Sequence, residues 1–124
     1  MSVGEPRYGV DPYLEWVGRE GVPVIEDIGI DLFSVPVANW ARFGCKGAAV
    51  HLTGRGDFSS MFLFELEKGG STSPQQHLFE EVVYVLEGNG STQIELANGQ
   101  THLFEWSPRS LFAIPLNAKY RHFN

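Results

Sequence analysis

The chain has 124 residues, of which 43% are hydrophobic and 13% aromatic, and a formal net charge of −6 at neutral pH. That length and apolar content suit a single folded domain and argue against disorder, and the acidic balance disfavours nucleic acid and anionic membranes as partners. The opening MSVGEPRYGVDPY lacks an apolar leader core, no apolar run is long enough to cross a bilayer, and the lone Cys45 excludes an internal disulfide, so a cytoplasmic protein is expected.

The first expected element is a helix over 12–19 (PYLEWVGR), which Asp11 can cap, Pro12 can begin and Gly21 can end. Leu14 and Val17 are expected to share its packing face, with Tyr13 and Trp16 as a neighbouring aromatic pair. From residue 30 the pattern turns to period two, and strands are expected over 30–35, 46–52, 60–67, 76–79, 81–87, 91–97, 100–105, 110–114 and 119–123. Turn chemistry separates them: Gly54-Arg55-Gly56-Asp57, Gly69-Gly70, Gly88-Asn89-Gly90, Asn98-Gly99 and Ser107-Pro108. Asn98-Gly99 between two alternating strands is a hairpin signal.

Many short strands at close spacing predict an all-β sandwich or barrel. The expected organisation is an N-terminal arm over 1–29 carrying the short helix, followed by a barrel over 30–124. In strand 60–67, Phe62 and Phe64 share a face that fits the interior, which makes them candidate pocket walls. Strand 81–87 is apolar on both faces apart from its first and last residues and is expected to be covered on both sides, by the barrel interior and by another sheet or subunit.

The most informative segment is Gly69 to Gly88, GGSTSPQQHLFEEVVYVLEG. Gln75 and His77 lie two apart and leave an extended backbone by the same face, and Glu81 opens the following strand. Near the end of the chain, SLFAIPLNAKYRHFN places Tyr120 and His122 two apart on another strand. His122 is read either as part of a displaced site with His77 and Glu81 or as a buried, hydrogen-bonded histidine. His51 and His102 are expected to be structural or surface residues.

These two segments resemble the paired motifs of the cupin superfamily. In the first, Gly69, His77, Glu81 and Gly88 fall on family positions at the family's spacing, and Gln75 stands where a histidine is expected. In the second, Pro115 and Asn124 match, Tyr120 stands for a histidine, and Arg109 and Asn117 stand for glycines. The resemblance implies a cupin-type double-stranded β-helix, a jelly-roll barrel with a small-molecule pocket. It also implies a possible divalent transition metal (iron, manganese, nickel, copper or zinc) at positions held here by Gln75, His77, Glu81 and Tyr120. Two of those four positions have lost the imidazole that such metals favour.

Two functions follow from the resemblance. One is metal-assisted oxygenation or isomerisation of a small organic metabolite. The other is a metal-free cupin that binds a ligand or supports an oligomer. Without a metal, His77, Glu81 and Tyr120 remain an acid–base set, with His122, Phe62 and Phe64 expected around the pocket. The phrasing also resembles the first half of two-cupin bacterial proteins. Because cupin barrels continue with a further strand beyond the position of Asn124, a homodimer or a following cupin domain is expected to cover the open edge.

Overall fold

The computed structural model describes residues 12–54 and 60–124. Asp11 and the Arg55-Gly56-Asp57 turn lie outside the described residues. The structure is mostly β, with one short helix and several antiparallel strand pairs, in agreement with the expected all-β class. No helix among the described residues is long and apolar enough to cross a membrane. Contacts divide the chain into two compact units, one ending at Glu65 and the other spanning Leu66–Asn124.

In the first unit, α1 (Pro12–Arg19) forms where expected. Its packing face differs from the expectation: Val17 is 1% exposed, whereas Leu14 is 38% exposed. Tyr13, Trp16 and Val17, spaced i, i+3 and i+4, form the inward stripe instead. The strands are β1 (Val24–Asp27), β2 (Ala38–Trp40), β3 (Cys45–Leu52) and β4 (Met61–Glu65). β4 pairs with one edge of β3, while β1 (parallel) and β2 (antiparallel) pair with successive stretches of β3.

The strand expected over 30–35 is absent; Leu32–Ser34 form a 3₁₀ turn. Asp31 accounts for the difference, since its carboxylate accepts from the Phe33 amide at 3.1 Å and from the Ser34 hydroxyl at 2.8 Å. Such local bonds compete with a strand ladder. β1 and β2 were not expected, because neither shows enough alternation to stand out from the loops around it.

β3 is nearly sealed because it is built from small residues. Gly47 and Ala49 lie opposite Phe64 and Phe62, leaving room for a layer of rings. A Cβ on Gly47 would come within 2.8 Å of the Trp40 ring.

The second unit contains β5 (Gln75–Gln76), β6 (Glu81–Tyr84), β7 (Gly90–Glu95), β8 (Thr101–Trp106), β9 (Leu111–Ile114) and β10 (Lys119–Phe123). One sheet runs β5-β10-β7-β8, and β6 pairs with β9 in a second. Ile94, Ile114, Ala118 and Tyr120 form its core, packed by Val83, Leu96, Phe104 and Phe112. The expected Asn98-Gly99 hairpin joins β7 to β8, with Gly99 at φ 84°. The strand expected over 81–87 ends at Tyr84, and within the chain one of its faces is left open: Val82 and Tyr84 are 69% and 53% exposed.

Segment 70–77 lies along β10 with one irregularity. Ser71 bridges to Phe123, but Gln75 pairs with Tyr120, so three residues face two and the strand bulges around Pro74. The strand expected over 76–79 is limited to Gln75–Gln76, and the chain bends away before β6. β10 is tied in further by its own side chains. The Asn124 amide donates to the carbonyls of Leu66 and Glu67, and Arg121 donates to Thr72 O and Ser71 Oγ.

Arg109 and Asn117 are the two non-glycine residues with positive φ among the described residues, at 71° and 60°. Gly69 and Gly88 are also left-handed, at 76° and 87°. Left-handed backbone costs an ordinary L-residue about 1–2 kcal/mol, and asparagine less than most. Asn117→Gly is therefore expected to keep or raise stability in chemical denaturation, and Asn117→Val to lower it by about 1–2 kcal/mol. Equal stability of the two variants would contradict the left-handed turn.

Candidate functional site

His77, Glu81 and Tyr120 meet in the second unit. Tyr120, 5% exposed, projects into the core from β10, and Gln75 lies opposite it on β5. His77 follows directly after β5 and is held by the turn across from it: the Asn117 amide donates to the His77 carbonyl at 2.9 Å. Gln76 ties down the same turn by donating to the carbonyl and side-chain oxygens of Asn117. Glu81 begins β6 opposite Ile114, which is 1% exposed, so the carboxyl enters the core with its partner.

The hydrogen bonds of His77 fix its tautomer. Nδ1 is 2.9 Å from the Phe79 carbonyl, which can only accept, so Nδ1 carries a proton. In the neutral ring Nε2 is then the acceptor, and it receives the Tyr120 hydroxyl at 3.0 Å. Phe79 stacks on the imidazole with centroids 3.8 Å apart and planes 1° from parallel. The ring is thus held at both nitrogens and on one face.

Glu81 completes the cluster without satisfying it. Its Oε2 lies 3.8 Å from His77 Nε2, beyond hydrogen-bond reach. Among the described residues it is the one buried side-chain N or O atom with no hydrogen-bond partner. Burial raises the Glu81 pKa above the usual carboxylate range, while the nearby Tyr120 hydroxyl and His77 imidazole pull it back without reversing the shift. Tyr120 is pushed upward, first by burial and then by the Glu81 charge, so its phenol stays protonated.

One additional proton resolves the mismatch. Placed on His77 Nε2, it donates to the Tyr120 oxygen, and the phenol proton is released toward Glu81. Placed on Glu81, it removes the buried charge itself. The cluster is therefore a short proton path from imidazole to carboxyl through a phenol, with groups able to act as acid or base.

Gln75 takes little part in this path. Its amide nitrogen donates to Ser73 Oγ at 3.0 Å and lies 3.4 Å from the Ser73 carbonyl. His122 faces the same interior one residue pair along β10, its ring 5.2 Å from that of Tyr120. Its Nδ1 lies 2.7 Å from Thr92 Oγ1, and burial lowers its pKa to about 4. It is a hydrogen-bonded histidine of the interior. His51, in the first unit, is 1% exposed and hydrogen-bonds the Tyr13 hydroxyl at 2.7 Å.

Phe62 and Phe64 belong to the first unit, where their rings pack with Trp40 and Phe43. Phe62 also stacks with Tyr13 and meets the Trp16 ring at a tilt. Cys45 is buried, and desolvation pushes its thiol up to about 11, which fits a packing role.

The donor set fits a resident transition metal poorly. Gln75 is turned to Ser73, and Tyr120 is a protonated phenol whose hydrogen goes to His77. His77 and Glu81 remain as the strong donors, and no group of three or more His, Cys, Asp or Glu converges among the described residues. Residues missed by the sequence reading are Thr92, which bonds His122, and Trp106, which donates to Thr92. Their link depends on cross-strand register, which motif spacing does not contain.

The chain matches no protein-family model and has no significant match among curated proteins.

Glu81→Gln removes a buried charge with an unpartnered oxygen, a feature that costs about 1–3 kcal/mol. Because the folded-state pKa of Glu81 is raised, the folded protein binds this proton more tightly than the unfolded chain. Its contribution to stability is thus greatest below the ordinary carboxylate range and declines as pH rises toward the raised value. The variant is expected to be about 1 kcal/mol more stable than the parent at pH 7, with the gain shrinking toward pH 4. A loss of stability at pH 7 would contradict the assignment.

Proposed function

We propose that the unit Leu66–Asn124 is a cupin-type small-molecule site in which His77, Glu81 and Tyr120 transfer protons on a bound organic metabolite without a resident metal. The reaction class is isomerisation: a proton leaves one carbon and returns to another, so no co-reactant is consumed. His77 or Glu81 serves as base in its deprotonated form, and Tyr120 relays the proton and can donate to a developing oxyanion. The observation that carries this reading is the sealed, unpartnered Glu81 Oε2 beside an imidazole whose tautomer is already set. A buried polar atom left unsatisfied calls for an explanation, and a functional proton supplies one.

The cupin assignment is supported by the left-handed backbone at all four positions where the two motifs ask for glycine: Gly69, Gly88, Arg109 and Asn117. It is supported too by the meeting of first-motif and second-motif residues, His77 with Tyr120.

The test is deuterium incorporation from D2O into a panel of small hydroxy-ketones and keto acids, followed by NMR. Carbon-bound deuterium should appear with or without a chelator, and His77→Gln and Glu81→Gln should each slow it by about 100-fold or more. Loss of exchange on chelation, restored by iron or manganese, would replace this reading with the metal-assisted one.

A second reading is favoured by the exposed apolar face of β6 and β9, where Val82, Tyr84 and Leu111 are each more than half exposed. On that reading the domain is a ligand-binding or oligomerisation module, and the face is buried against a second copy. Absence of exchange across the panel, together with a dimer mass by light scattering, would favour it.

A further inference from the structure

We propose that His122 is the fixed hydrogen-bond donor of this site. Trp106 and Thr92 lock its imidazole in the Nε2–H form, so that it selects ligands bearing an oxygen acceptor, a carbonyl or carboxylate, over ammonium ligands. The inference rests on the small-molecule reading above and adds a specificity-determining residue to it.

The argument follows the protons inward from Trp106. The indole N–H can only donate, and it reaches Thr92 Oγ1 at 2.9 Å. Thr92 is 0% exposed and forms its other side-chain bond with His122 Nδ1 at 2.7 Å. If Thr92 accepted from both neighbours, its own hydroxyl proton would be sealed in the core without an acceptor, at a cost of about 1–3 kcal/mol. The arrangement that satisfies every group has Trp106 donating to Thr92 and Thr92 donating to His122 Nδ1. A neutral ring must then carry its proton on Nε2.

That Nε2–H is available. The described residues give it no partner, yet Glu81 Oε2 is the one sealed side-chain N or O atom without a partner among them, so His122 Nε2 is not closed off. Its ring neighbours are Phe112 and Tyr120, at 6.0 and 5.2 Å between centroids. These rings offer no charge to stabilise an imidazolium, and burial accordingly holds the pKa down at about 4. His122 therefore stays neutral and presents a donor. The His77 cluster differs in kind, because its Nδ1–H is committed to Phe79 and its phenol proton to His77. Of the two imidazoles, His77 and His122, it is His122 that has an N–H left for a ligand.

The test uses the whole chain labelled with 15N. Long-range 1H–15N spectra report the tautomer of each histidine, and acetate, acetone and methylammonium serve as probes. The expected result is an Nε2–H tautomer for His122 at neutral pH, perturbed by acetate and acetone but not by methylammonium. Thr92→Val should mix the tautomers and weaken the acetate response by roughly tenfold, as loss of one hydrogen bond would. An Nδ1–H tautomer or an imidazolium in the unmodified protein would overturn the proposal even if the variant failed to fold. So would an equal response to methylammonium, or an acetate response in Thr92→Val equal to that of the parent. Perturbation of His77 without His122 would overturn this inference alone, whereas silence at both would overturn it together with the small-molecule reading.

Discussion

The pairing of segment 70–77 with β10 is the constraint on which the site depends. Gln75 and Gln76 pair with Tyr120 and Lys119, and the bulge at Pro74 lets the chain continue to the Ser71–Phe123 bridge. Asn124 and Arg121 fasten the same edge through side chains. Each bond is modest, on the order of 1 kcal/mol net, but together they fix the register. In that register, the end of β5 delivers His77 to the phenol of a residue forty-three positions later in the chain.

The interior that results is polar in an ordered way. Trp106 is satisfied by Thr92, and Thr92 by Trp106 and His122, while the His77 cluster is one proton short of full satisfaction. Around them lie Ile94, Ile114, Phe104 and Phe112, which lower the local dielectric and sharpen both situations. Burial raises the Glu81 pKa and lowers that of His122, each toward its neutral form. The same apolar shell thus prepares one group to hold a proton and the other to refuse one.

Much of this was legible in the sequence, where local chemistry and global fold agree. The Asn98-Gly99 hairpin, the helix at Pro12–Arg19 and strand Lys119–Phe123 follow from turn residues and alternation that nothing in the tertiary structure overrides. The motif resemblance implies glycine positions at Arg109 and Asn117, and both are left-handed. Misreadings arose where a side chain redirected the backbone or packing chose between faces. Asp31 bent the expected strand at 30–35 into a turn, and the ring layer drew in Tyr13 and Trp16 and left Leu14 outside. The alternation of 60–67 marks Phe62 and Phe64 as inward but does not say which layer they join. The Trp106–Thr92–His122 chain has no sequence signal, because it arises from register across three strands.

The central claim is that His77 and Tyr120 are joined by a bond that defines the acid–base path. A double-mutant cycle of His77→Ala and Tyr120→Phe, read by chemical denaturation at pH 7, tests it most directly. A coupling energy of about 0.5–1.5 kcal/mol is predicted. Strict additivity of the two substitutions would contradict the account.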